Sequence, residues 1–97
     1  MSVIINFAIF PTDKGESVSP QVARALSIVK NSGLEHELNP MGTCVEGEWD
    51  EVMNVVNSCF FELEKDCGRI YLVMTADYRK GPASRMRSKI KSVAEKL

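Results

Sequence analysis

The crowded carboxylates Glu46, Glu48, Asp50 and Glu51 are the first residues whose spacing could do chemistry. Paired carboxyl groups can divide general acid and base work, and a cluster can hold a divalent cation. Acidic residues at a helix start also interact favourably with its dipole. That reading is preferred for Glu48, Asp50 and Glu51, because an apolar helical period begins at Trp49. Glu46, before Gly47 at a strand end, has no such account. The lone histidine, His36, sits between glutamates in an expected strand and reads as solvated. Cys44, Cys59 and Cys67 lack Cys-x-x-Cys or Cys/His spacing, so neither a disulfide framework nor a zinc site is expected. Cys59 falls on an apolar stripe, and Cys67 lies at a helix C-terminus, where the dipole disfavours a thiolate. No nucleophile stands in a recognisable motif, and no glycine-rich phosphate loop occurs. The expectation is a protein without catalysis, resident cofactor or metal.

The chain has 97 residues, of which 44% are hydrophobic and 26% charged, the composition of one ordinary globular domain over 1–97. Its net charge of -1 hides a split. Residues 1–68 hold 4 Lys/Arg against 11 Asp/Glu, a balance of -7, while residues 69–97 hold 8 against 2, a balance of +6. The odd cysteine count, the non-basic start Met-Ser-Val-Ile-Ile-Asn and the lack of a long apolar run point to the cytoplasm, with no membrane partner.

The elements that must position these residues follow from pattern. Residues 2–10 are rich in Val, Ile and Phe and read as a strand stopped by Pro11. Ser19-Pro20 starts a helix with Ser19 as its cap; Val22, Ala25, Leu26 and Val29 share a face, and Gly33 ends it. Glu35 to Asn39 and Thr43 to Glu46 are short strands around the break Pro40-Met41-Gly42. Trp49, Val52, Met53, Val56, Cys59, Phe60 and Leu63 mark a second helix closed by Gly68. Arg69 to Asp77 is a strand, Tyr78 to Ala83 a loop, and Ser84 caps a last helix with Met86, Ile90, Val93 and Leu97 on one side.

This order predicts an α+β, ferredoxin-like split β-α-β fold (βαββαβ) with an added C-terminal helix. Two helices on one sheet face leave the other to solvent in a monomer, yet both faces carry large apolar groups. Val3, Ile5, Phe7 and Ile9 alternate with Ile4, Asn6, Ala8 and Phe10; Ile70, Leu72, Met74 and Ala76 alternate with Tyr71, Val73, Thr75 and Asp77. Exposing a Val, Ile or Phe side chain forgoes roughly 1.5–3 kcal/mol. A partner sheet or the last helix is therefore expected over the second face, in a homo-oligomer. RNA-recognition domains share the element order but stack bases on aromatics of their central strands. The strand Thr43-Cys44-Val45-Glu46 has none, and Arg85, Arg87, Lys89 and Lys91 spread around their helix, so no nucleic-acid partner is expected. The charge split reads instead as complementarity between subunits, which would make assembly salt-sensitive.

Several segments together resemble a known family: Phe10-Pro11, Gly15 with Ser17-Val18-Ser19, Asn39-Pro40-Met41-Gly42-Thr43, Glu46-Gly47, Trp49-Asp50-Glu51-Val52 and Asp77-Tyr78-Arg79. In order and spacing they are similar to the small thiamine-binding protein family, long known only as uncharacterised. The resemblance spans nearly the whole chain, and Pro-Met-Gly-Thr followed by Glu-Gly is its most specific part. It implies a ferredoxin-like subunit, assembled into dimers or tetramers through its sheets, that binds thiamine or its hydroxymethylpyrimidine part without known catalysis. Thr75, where the family pattern suggests a basic residue, and Cys44, where it suggests a non-thiol one, are departures.

On that resemblance the expected ligand residues are Ser17, Ser19, Met41, Gly42, Thr43, Glu46 and Trp49. Glu46 would accept from the pyrimidine amino group or face the thiazolium, Ser17 and Ser19 would bond ring nitrogens, and Met41 would lie against the ring. Trp49 would stack, and Gly42 would admit close backbone approach. Structural roles compete: Ser19 as helix cap, Met41 and Trp49 as core, Gly42 as turn. Asp77 and Arg79 are candidates for an interface or anion-binding role. The alternative function is a structural or regulatory oligomerisation module with no retained ligand; a nucleic-acid-binding domain ranks below it.

Overall fold

The computed structural model describes residues 2–81 and 85–97. Its elements run β1 (Ser2–Pro11), α1 (Ser19–Asn31), β2 (Glu35–Asn39), β3 (Gly42–Gly47), α2 (Trp49–Glu64), β4 (Ile70–Arg79) and α3 (Arg85–Ala94). The four strands form one sheet in the order β2-β3-β1-β4, with β1 antiparallel to both β3 and β4. This is the ferredoxin-like α+β fold with an added C-terminal helix, as the element order predicts.

Strand alternation builds the core. Val3, Ile5, Phe7 and Ile9 of β1 are buried with Val45 of β3 beneath α1 and α2. From the helices, Ala25 and Val29 of α1 and Val52, Val55, Val56, Cys59 and Leu63 of α2 meet them. The capping of α2 follows its acidic start, since the Glu48 N–H donates to Glu51 Oε1 at 3.1 Å. Gly33, at φ +77°, supplies the left-handed residue just after α1.

Two local expectations are corrected. Ser19 does not cap α1: Val18 holds that position without a side-chain hydrogen bond, and Ser19 is the first helical residue, followed by Pro20. β4 runs two residues past Asp77, because all ten of its residues find partners on β1, from Pro11 opposite Ile70 to Ser2 opposite Arg79. Leu72 and Met74 point to the helix side, yet they stay substantially exposed because the two helices lie mainly over β1. The expected turn residue Pro82 and the cap Ser84 lie outside the described residues.

The second face of the sheet is divided. Register pairs Glu35 with Glu46, Glu46 with Ile4 and Ile4 with Asp77, an acidic row at one end. The next row is polar: Glu37, Cys44, Asn6 and Thr75. The far end is apolar, where Phe10 stacks on its register partner Tyr71 with ring centroids 5.6 Å apart. The start of α3 is tied to the acidic end, which buries Arg85 and Met86.

Candidate functional site

The segment from Gly42 to Gly47 sends its residues to opposite faces. Thr43 and Val45 lie beside Phe7 and Ile5 on the helix side, whereas Cys44 and Glu46 lie beside Asn6 and Ile4 on the other. The expected ligand residues are thereby separated by the thickness of the sheet.

On the helix side is a groove of about 300 Å³. Val18 just before α1, Val22 and Leu26 of α1, Phe7 and Ile9 of β1, and the turn from Leu38 to Thr43 line it. Met41, Gly42 and Thr43 therefore meet in one cavity wall. Met41 is mostly exposed at its rim and Thr43 is buried, the polar side chain in an apolar lining, whereas the Asn39 amide turns to Cys44 on the other face. Ser17 and Ser19 flank the lining residue Val18 without lining the groove. Such a groove can hold a flat, largely apolar ring with a few hydrogen bonds.

Glu46 does different work. Its side chain is 4% exposed, and its carboxylate accepts from the Arg85 N–H at 2.9 Å, the Met86 N–H at 3.2 Å and the Ser2 hydroxyl at 3.2 Å. These are the first N–H groups of α3, which have no partner within the helix. Burial by itself would raise the Glu46 pKa, but the N–H groups of Met86 and Arg85, with Glu35 and Ser2, outweigh it and hold the carboxyl below its ordinary range. Glu35, opposite Glu46 in the β2–β3 register, is raised in turn, first by its hydrogen bond to Glu46 and then by burial. Arg85 also donates to the Asp77 carbonyl at 2.9 Å and the Ser2 carbonyl at 3.3 Å.

Asp77 pairs with Lys89 and Arg85, not with Arg79, and the Lys89 contact holds its carboxyl below the ordinary range. Arg87 pairs with Glu35 at 2.9 Å. Of these pairs Arg87–Glu35 joins the basic C-terminal part to the acidic remainder, whereas Asp77 belongs to the basic part itself. Trp49 is half-exposed at the first position of α2 and lines neither the groove nor the cleft beneath α3. Of the thiols, Cys59 is pushed up to about 11 by burial and donates to the Ala25 carbonyl, and burial also raises Cys67. The His36 ring bonds the Leu34 carbonyl at 2.8 Å in an exposed position.

Asn6 was not among the expected site residues. It is exposed at the centre of β1, an inner strand, and the space for its carboxamide comes from Gly42. A Cβ on Gly42 would lie 2.7 Å from Asn6 Oδ1 and 3.1 Å from the Phe7 carbonyl oxygen. The close approach at Gly42 is thus made by another side chain of the protein. The signal was present in the sequence, since Asn6 interrupts the apolar run from Val3 to Phe10.

Among the described residues no helix is long and apolar enough to cross a membrane, and no group of three or more His, Cys, Asp or Glu is placed to hold a metal ion. Comparison with known proteins joins this geometry to a family. A UPF0045 protein of Mycobacterium bovis is 34% identical over 98 residues, covering 100% of this chain and 96% of its own length. The crystal structure of a hypothetical protein from Methanocaldococcus jannaschii superposes with a TM-score of 0.88 at 31% identity, covering 97% of each chain. A Thermotoga maritima protein, provisionally assigned to thiamine biosynthesis or salvage, gives a TM-score of 0.81 at 25% identity over 95% of this chain and 99% of its own. The family model for thiamine-binding proteins matches residues 5–94, and the chain belongs to that family.

Proposed function

We propose that this chain, one domain over residues 1–97, is a non-catalytic, cytoplasmic protein that binds thiamine or its hydroxymethylpyrimidine part in the groove beside α1. The observation that carries this reading is that the Pro40–Thr43 turn, the most specific segment of the family resemblance, forms a wall of that groove. Its volume of about 300 Å³ falls at the small end of ligand pockets. Met41, Val22 and Leu26 flank the ring, Thr43 supplies a hydrogen bond, and Ser17 and Ser19 stand near the mouth. Glu46 and Trp49 lie outside this groove and do not touch a ligand held there. The provisional thiamine assignment of the Thermotoga maritima neighbour supports the ligand class. Calorimetry with thiamine and with hydroxymethylpyrimidine tests it on wild type and Val22→Trp, which fills the groove. Heat in the wild type that disappears in the variant is expected. Absence of heat with either ligand would leave the oligomerisation module as the better reading.

Self-association has its own support. Tyr71, Leu72, Val73 and Met74 are consecutive on the edge strand β4 and are 55%, 41%, 49% and 38% exposed. Side chains on both faces of an edge strand are covered together when another strand continues the sheet in its plane. A second copy pairing through β4 makes a dimer, and stacking through the apolar end at Phe10 and Tyr71 makes a tetramer. The pairing of Arg85, Arg87 and Lys89 within the chain argues against a nucleic-acid partner.

A further inference from the structure

We propose that the cleft between the second face of the sheet and α3 is a separate binding site for a small planar heterocycle of nucleobase type, one whose edge sets a hydrogen-bond donor beside an acceptor. The cleft measures about 460 Å³ and lies across the sheet from the groove. Neither site requires the other.

The floor of the cleft is the polar row. Glu37, Cys44, Asn6 and Thr75 are register partners on β2, β3, β1 and β4, so one line of side chains crosses the whole sheet. A helix lying over a sheet ordinarily rests on apolar side chains. Here α3 is tied at its first turns by Glu46 and Asp77, while Ile90 remains half-exposed at the cleft wall. The space beneath it is therefore polar below and apolar at the side.

Asn6 sits at the middle of that row. The Cys44 thiol donates to Asn6 Oδ1 at 3.7 Å and accepts from Asn39 Nδ2 at 3.6 Å, which orients the carboxamide while leaving its amino group without a hydrogen bond among the described residues. Gly42 keeps the place free into which the carboxamide fits. A carboxamide presents a donor next to an acceptor, the arrangement by which Asn pairs bidentately with an exocyclic amine and the adjacent ring nitrogen of a base. The Thr75 hydroxyl adds a group able to donate or accept. The formal charges around the cleft cancel, since Asp77 is shared by Lys89 and Arg85 while Glu37 adds a negative charge at the row's end, so an uncharged base fits.

The test is a titration of the isotopically labelled full chain with cytosine and with 1,3-dimethyluracil, a similar ring with no N–H donor, followed by NMR. Cytosine is expected to shift the Asn6 side-chain amide and the Thr75 and Ile90 signals, and to bind about tenfold tighter than dimethyluracil. Asn6→Leu should weaken cytosine about tenfold, and Val22→Trp should leave it unchanged. Should Asn6→Leu not fold, Thr75→Val at an exposed strand position replaces it, with weaker cytosine binding expected. Equal binding of the two probes, no response to cytosine, shifts confined to Val22 and Met41, or full affinity in the folded variant would overturn the site. Thiamine binding that disappears in Val22→Trp while cytosine fails would leave the groove reading intact and remove only this one.

Discussion

Glu46 caps α3 from another part of the chain: its carboxylate accepts the Arg85 N–H at 2.9 Å, joining residues 39 positions apart. A helix usually finds its cap in the residue just before it. Here a buried strand carboxylate does that work for the Arg85 and Met86 N–H groups, and α3 is thereby fixed to the sheet.

Glu46→Gln removes the charge while keeping size and one acceptor. Hydrogen bonds to charged groups contribute about 1.5–3 kcal/mol each, so a loss of that order is expected in urea unfolding at neutral pH. Unchanged stability would mean that α3 is held by Arg85 and Lys89 alone.

The Glu35–Glu46 pair sets opposing pH dependences. The Glu46 pKa is lowered in the folded protein, so its stabilisation is complete above its ordinary value of 4.5 and disappears as pH falls below it. The Glu35 pKa is raised, so its contribution is complete below 4.5 and is lost as pH rises through the folded value. Melting temperatures measured across acidic pH should therefore show that Glu35→Gln removes a stability loss above pH 4.5 while keeping the acid-side fall. A variant profile parallel to wild type throughout would refute this coupling.

Gly42→Ala should destabilise the chain by about 1–3 kcal/mol, the usual cost of forcing a methyl group into a filled space. The close atoms are Asn6 Oδ1 and the Phe7 carbonyl oxygen, so Asn6→Ala should remove part of the penalty. A double-mutant cycle reads that part as a coupling energy. Strict additivity would show that the backbone contact accounts for the whole cost.

Association through β4 predicts that Val73→Lys, an exposed substitution, lowers the mass measured by light scattering without lowering the melting temperature of the monomer. Because pairing through β4 rests on backbone hydrogen bonds and apolar side chains, raising salt should not dissociate the oligomer, whereas dissociation would favour the charge complementarity between subunits. A monomeric wild type at micromolar concentration would remove this interface.

The sequence by itself determined the elements. The apolar spacing through Trp49, Val52, Val56, Cys59 and Leu63 marks α2, the glycine at position 33 follows α1, and dense β-branched residues mark β1 and β4, because these signals are local. It also determined more about the site than was read from it. Thr43 and Glu46 are an odd number of positions apart on one strand, and a side-chain period of two sends such residues to opposite faces. Only the tertiary structure decided what met each face. α1 closes a groove over Met41 and Thr43, whereas α3 brings its N–H groups to Glu46, a contact that no local pattern around either partner announces. The exposed β4 face was likewise undetermined by its own apolar sequence, since burial depends on where the helices come to rest, and they lie mainly over β1.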